Sequence, residues 1–164
     1  MWVWRKSNSI ERMRSATTER GTSEGVGQHR LVRHLDLFSG IGGFALAAQW
    51  AGWETIGFSE IEDYAERVLE SKWPNVPNHG DIRKMRGVEC DVLTGGFPCQ
   101  PYSVAGKQRG DEDERDLWPQ MLRIIKESKP TWIIGENSPN IRTLALDKII
   151  AELEAEGFAC RTYD

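Results

Sequence analysis

Apolar and polar positions along the chain fall into two rhythms. Short apolar runs bounded by Gly, Pro, Asn or Asp read as strands; longer stretches with apolar residues three and four apart read as helices. The strand-like runs are LVRHLDLF (residues 31–38), ETIGFSE (54–60), VPNHGDI (76–82), CDVLTGGF (90–97) and TWIIGEN (131–137), with FACRTYD (158–164) beginning one more. Between them, FALAAQWAGW (44–53) places Phe44, Ala47, Ala48 and Ala51 on one helical face, and EDYAERVLESKW (62–73) is stopped by Pro74. RDLWPQMLRIIKESK (115–129) has helical spacing at Leu117, Met121, Leu122 and Ile125, and stops at Pro130; TLALDKIIAELEAEG (143–157) ends on Gly157, a normal helix stop. Strand and helix alternate with short connections. That order predicts an α/β fold, a parallel sheet with helices on both faces. Ligands in such sheets gather outside the carboxyl ends of the strands. Residues 39–43, Glu60, Asp81, Pro98, Cys99, Glu136 and Asn137 each follow a predicted strand there.

The first 30 residues lack this rhythm. Their Ser, Thr, Gly and Arg content reads as a flexible leader before a domain at 31–164. With 164 residues, 39% of them hydrophobic, the chain suits one domain with its own core. It holds no apolar run of the roughly 18 residues a membrane span needs, and its start lacks the apolar centre of a secretion signal, so a cytoplasmic protein is expected. Cys90, Cys99 and Cys160 are odd in number and show no CxxC spacing, which predicts reduced thiols and no metal site. Net charge is −4, yet residues 1–34 hold seven Lys/Arg against three Asp/Glu, so the body is more acidic than the whole. Global charge therefore does not mark a nucleic-acid binder; a polyanion would need local basic patches or a second, basic chain.

The candidate chemistry starts at DLFSGIGGF. Its glycine turn joins strand to helix without the GxGxxG spacing or the phosphate-loop lysine, and glycines there let a ligand approach the backbone. The turn suits a nucleoside with an amino-acid tail, though alone it is equally a tight turn. Glu60 stands about 20 residues after the turn, where a carboxylate in a Rossmann-like unit binds ribose hydroxyls. Asp81 ends the next run and suits an exocyclic amine. In GGFPCQPYSVAG, Cys99 lies between Pro98 and Pro101 with glycines around them, a setting closed to helix interiors and central strands. A thiol so exposed is the candidate nucleophile; Cys90 and Cys160 sit in strand-like contexts and read as inert. Glu136 closes the strand expected beside that of the Cys99 segment, and a buried carboxyl there would engage a ring nitrogen. His29, His34 and His79 fit no Cys/His relay, two preceding the fold and one lying in a loop.

In order and spacing, DLFSGIGGF, SEIE, GDI, GGFPCQPYSVAGKQRG and GENSPN resemble the cytosine-C5 DNA methyltransferases of bacterial and phage type, over residues 32–164. The resemblance implies a Rossmann-like S-adenosylmethionine-dependent methyltransferase sheet and double-stranded DNA as substrate. It assigns the cofactor to Phe38, Gly40, Ile41, Gly42, Gly43, Glu60, Ile61, Asp81, Ile82, Pro98 and Leu117. It makes Cys99 the nucleophile that adds to C6 of an extruded cytosine, Glu136 the acid at N3 and the exocyclic amine, and Asn137 the residue that holds the Pro-Cys loop. Gln100, Ser103, Lys107 and Arg109 are similar to loop residues that enter the vacated stack or meet phosphates. No metal is implied. Ser138 stands where the family has Val. The family's Gln-x-Arg-x-Arg segment, its target-recognition domain and its closing segments have no counterpart through Asp164, nor in residues 1–31. The expectation is a catalytic domain incomplete at its C-terminus, exposing apolar surface where the closing elements belong and needing a complementing chain for activity. The alternatives are an inactive relic that binds cofactor or partner, and a tRNA cytosine-C5 methyltransferase.

Overall fold

The computed structural model describes residues 1–7, 30–98, 116–138, 141 and 145–162. Among these, six strands form one sheet: β1 (Trp2–Lys6), β2 (Arg33–Leu37), β3 (Glu54–Ser59), β4 (Val92–Gly95), β5 (Trp132–Gly135) and β6 (Phe158–Thr162), in the order β3-β2-β4-β5-β1-β6. Four helices accompany them: α1 (Gly43–Trp50), α2 (Asp63–Lys72), α3 (Trp118–Ser128) and α4 (Leu146–Ala155). Strands β3, β2, β4 and β5 are parallel neighbours, with Leu37 level with both Ser59 and Gly95, and Gly95 level with Gly135. The chain leaves β2 to one side for β3 and returns on the other side as β4. That reversal is the switch point at which open α/β sheets bind ligands.

Helices lie on both faces, as the alternation predicts. Leu35 and Leu37 join Leu93, Ile133, Met121, Ile124 and Leu153 in the larger core, to which α3 and α4 contribute. Successive strand residues point to opposite sides, so Asp36, between those two leucines, faces away from that core, and α1 packs against β2 and β3. So α1 covers the other face, where Ala45, Phe58 and Leu69 form a smaller cluster with Trp73 and Val76 packed against it. Charge follows the helix dipole in α2, with Asp63 and Glu66 in its first turn and Lys72 in its last. Gly157, at φ 82°, follows α4 as its stop.

Three expectations are corrected here. Residues 2–6 are no leader: they form β1, antiparallel to both β5 and β6, with Trp2 and Trp4 only 4% and 3% exposed. Two indoles alternating with Val3 bury enough apolar surface to hold an interior strand, roughly 1.5–3 kcal/mol for each large side chain. The run at 76–82 is no strand; it touches the sheet through a single bridge, Phe58 to Asn78. Pro77 cannot donate to a ladder, and Gly80 adopts φ 65°. Helix α1 buries Ala45 and Ala48, leaving Ala47 exposed. Its sequence is apolar nearly all round, so spacing gave little contrast between faces.

Candidate functional site

The ends of β2, β3 and β4 open on a cleft of about 580 Å³. Phe38, Ile61, Ile82, Pro98 and Leu117 supply apolar walls, and Glu60, Glu62 and Asp81 supply carboxylates. Ser59, Gly80 and Arg83 complete the lining. Of the residues assigned to the cofactor, seven therefore meet in one cavity. The rest of the glycine turn stands apart from that lining: Ile41 is 62% exposed, and Gly40, Gly42 and Gly43 shape the turn instead.

That turn is backbone held under strain. Phe38 adopts φ 54°, Gly40 φ 53° and Gly42 φ 87°. A non-glycine residue in this region costs of order 1 kcal/mol or more and persists only where its surroundings enforce it. Here Ser39 Oγ donates to the Asp36 carbonyl at 2.7 Å, and the Gly42 amide returns to the Ser39 carbonyl at 2.9 Å. Glu60 ties the turn to β3: one carboxylate oxygen accepts from the Gly40 amide at 2.7 Å, the other from the Ile61 and Glu62 amides at 2.8 and 2.9 Å. The candidate ribose ligand is thus oriented before anything binds.

The opposite wall is tied to the same point by a residue that sequence reasoning missed. Asn78 accepts from the Glu60 amide at 3.0 Å and the Gly80 amide at 3.2 Å, and donates to the Glu60 carbonyl at 3.0 Å. Read as a strand residue, it offered no signal; its place before a Gly-Asp turn, where Asn side chains bond nearby backbone, was the available clue. Arg123 of α3 secures this wall from behind, donating to the carbonyls of Ile82 at 2.7 Å and Met85 at 3.0 Å. Asp81 is held by the Arg83 guanidinium at 3.0 and 3.1 Å, which keeps its carboxyl below the usual carboxylate value.

Beneath the turn runs a buried polar chain, equally missed. His34 lies inside β2 rather than before the fold, and His34 and Asp36 are both 0% exposed. Thr94 donates to Asp36 Oδ1 at 2.6 Å, so its oxygen accepts from His34 Nε2 at 2.8 Å, and Thr55 then donates to His34 Nδ1 at 3.0 Å. Asp36 Oδ2 has no partner among the described residues. Burial pushes Asp36 up to about 7 and His34 down to about 4. Below neutrality the folded protein thus holds a neutral acid and a neutral imidazole, where the unfolded chain holds an aspartate and an imidazolium. Each state binds one proton on the pair between about pH 4 and 6.5, so the pair adds little slope to stability there. Asp36→Asn leaves His34 alone. Its folded value is depressed, so its contribution is present above pH 6.5 and lost as pH falls toward 4. The variant is expected to lose about 3 kcal/mol more than wild type between pH 7 and pH 4, read from urea unfolding at each pH; parallel profiles would refute the assignment.

At the far side of the switch point, the Glu136 amide donates to the Gly95 carbonyl at 3.1 Å, and Asn137 Nδ2 donates to the Phe97 carbonyl at 2.8 Å. Glu136 is exposed rather than buried. Its Oε2 lies 3.2 Å from where a Cβ on Gly96 would stand, so that glycine admits the carboxylate beside the Pro98 segment. Cys99, Gln100, Ser103, Lys107 and Arg109 lie outside the described residues. Cys90 is buried and its thiol pushed up to about 12, and burial raises Cys160 too, which suits inert thiols.

The model of one family, described as C-5 cytosine-specific DNA methylase, matches residues 32–163. The chain belongs to that family. Among similar methylases, the Type II methyltransferase M.HgiCII of Herpetosiphon aurantiacus is 36% identical over 77% of this chain and 31% of its own length. The Type II methyltransferase M.HhaI of Haemophilus parahaemolyticus is 40% identical over 66% of the chain and 34% of its own. The S. pombe Dnmt2 methyltransferase structure shares the fold, with a TM-score of 0.61 at 19% identity over 76% of the chain and 42% of its own. The chain spans about a third of the length of these curated relatives. The methylase match begins in the residues just before β2, so β1 lies outside it. No helix among the described residues is long and apolar enough to cross a membrane.

Proposed function

We propose that this chain is the cofactor-binding and catalytic part of an S-adenosylmethionine-dependent DNA (cytosine-5) methyltransferase, acting through a covalent Cys99 adduct. The observation that carries the reading is the cleft at the switch point, where apolar walls suited to a flat purine meet carboxylates suited to hydroxyls, an amine and a cation. S-Adenosylmethionine, when bound, supplies the methyl group as an activated electrophile. Phe38, Pro98 and Leu117 would supply apolar contacts to it and Ile61 and Ile82 would pack against its adenine; Glu60 would accept from the ribose hydroxyls while its own backbone bonds hold it in place, and Asp81 would accept from the exocyclic amine.

Cytosine C5 is a poor nucleophile. The Cys99 thiolate adds to C6, which puts the electron pair of the C5–C6 bond on C5, while Glu136 hydrogen-bonds N3 and the exocyclic amine. Once C5 carries the methyl group, its proton passes to water, and the C5–H electron pair re-forms the C5–C6 double bond as the C6–S bond breaks to free the thiolate. The base must first leave the stack, at a cost of a few kcal/mol that loop contacts offset. Asn137 fixes the segment that carries the thiol by holding the Phe97 carbonyl. Gln100 and Ser103 fill the gap, and Lys107 and Arg109 meet phosphates.

A further segment, of this chain or of a complementing one, would carry the arginine strand and the target-recognition part. What supports it is α1. Gly43, Leu46, Ala47 and Trp50 form an exposed stripe at helical spacing, with Leu46 40% and Trp50 79% exposed, beside exposed Ile41. A helix apolar on both faces is normally covered on both.

Two measurements test the reading. Calorimetry with S-adenosylmethionine is expected to show binding that Glu60→Gln weakens 10- to 100-fold, since hydrogen bonds to a charged group contribute about 1.5–3 kcal/mol. The assembly reconstituted with the complementing segment is expected to form an adduct at Cys99 on an oligonucleotide containing 5-fluorocytosine, mapped by mass spectrometry. Cofactor binding without any adduct would instead support a non-catalytic module.

A further inference from the structure

The strand from the amino terminus enters the sheet beside the end of β5 that leads into Glu136. Trp2 is level with Gly135 and Trp4 with Ile133. Two residues apart, the indoles share one face of the sheet. A Cβ on Gly135 would stand 3.0 Å from Trp4 Cζ3, 3.4 Å from its Cη2 and 3.8 Å from Trp2 Cε3. The last residue of β5 is therefore covered by rings from β1, at the place where its own side chain would project. Neither indole N–H has a partner among the described residues, so the rings act there by shape.

The same packing reaches the Pro-Cys segment. Trp2, Trp4, Phe97, Trp118, Gly135 and Glu136 border one void of about 10 Å³, at the lower limit for a single water. Phe97 and Trp118 have ring centroids 5.4 Å apart. Asn137, two residues after Gly135, donates to the Phe97 carbonyl at 2.8 Å.

We propose that Trp4 is a positioning residue: seated on Gly135, it sets where β5 hands over to Glu136 and Asn137, and through Asn137 it sets Phe97, two residues before Cys99. The inference rests on the reading of Cys99 as the reactive thiol. It does not rest on cofactor binding, because the tryptophans line no part of the cleft.

The test uses the full chain and three variants: Trp4→Leu, Trp4→Phe and Gly135→Ala. Thermal unfolding by circular dichroism establishes folding, and calorimetry measures S-adenosylmethionine affinity. The decisive readout is the rate of Cys99 alkylation by iodoacetamide, separated from Cys90 and Cys160 by peptide mapping, because that rate follows thiolate fraction and access. Trp4→Leu and Gly135→Ala are each expected to change the Cys99 rate at least fivefold, with cofactor affinity and the other two cysteines within twofold. Trp4→Phe keeps a ring over Gly135 and is expected to stay within twofold, as is Trp4→Leu/Gly135→Ala, where the added methyl occupies space the indole vacated. Folded single variants with an unchanged Cys99 rate overturn the proposal, as does a change shared by all three cysteines. Should Trp4→Leu fail to fold, Gly135→Ala against Trp4→Phe makes the same comparison. A wild-type chain that binds no cofactor counts against the proposed function and leaves the alkylation result decisive for Trp4.

Discussion

With Cys99 replaced by serine, the reconstituted assembly is expected to transfer methyl groups at least about 10⁴-fold more slowly, the order seen when a covalent mechanism loses its nucleophile. That corresponds to about 5.5 kcal/mol in the barrier. A serine hydroxyl keeps the shape of the side chain but on a shorter bond and a smaller atom, and it is almost wholly protonated near neutrality, whereas a few per cent of an ordinary thiol is already thiolate. Among the described residues, His34 is locked between Thr55 and Thr94 in the core. Affinity for S-adenosylmethionine should stay within twofold of wild type, since Phe38, Ile61, Ile82, Pro98 and Leu117 supply the apolar walls around Glu60 and Asp81. Labelled methyl transfer to DNA measures the first quantity and calorimetry the second. Retained transfer would end the covalent reading; lost transfer with lost cofactor binding would point to a damaged cleft.

Gly42→Ala is expected to cost about 3 kcal/mol of stability, lowering Tm by roughly 6–12 °C for a chain of this size. Two effects add. Gly42 adopts φ 87°, where an L side chain is strained. The new Cβ would stand 2.5 Å from Trp73 Cζ3, 2.8 Å from its Cη2 and 3.0 Å from Leu69 Cδ2. Trp73 is itself pinned edge-on against Phe58, with centroids 5.7 Å apart, so it cannot retreat cheaply. The contrast lies one residue away: a Cβ on Gly43 meets nothing within 4 Å, and Gly43→Ala should be nearly neutral. A double-mutant cycle of Gly42→Ala with Trp73→Leu should recover more than about 1 kcal/mol of coupling. A Tm change under about 2 °C for Gly42→Ala would show that the turn relaxes.

Most of the parallel sheet was legible because its signals are local. A glycine turn after LVRHLDLF, prolines after two helices and apolar strands of ordinary length place β2 to β5 and the helices between them. Glu60 was placed in the cleft for the same reason, following β3, whereas Asp81 reached the cleft from a run that is no strand. What escaped depends on distant partners. WVWRK looks like a strand only beside β5 and β6, far along the chain. Asn78 matters through Glu60 and Gly80, and its run contains Pro77, which defeats a ladder. His34 and Asp36 sit inside a strand as polar residues, and nothing local reveals that Thr94, on β4, satisfies one through the other.

The order of synthesis gives β1 a particular fate. Its register with Gly135 and Thr162 means that β1 is paired only by strands made much later in the chain. Until then two tryptophans remain without their neighbours, and closure waits on contacts of very high sequence separation, which slow folding and expose apolar surface to association. Anything bulky joined directly ahead of Trp2 would have to be accommodated where that strand lies between β5 and β6.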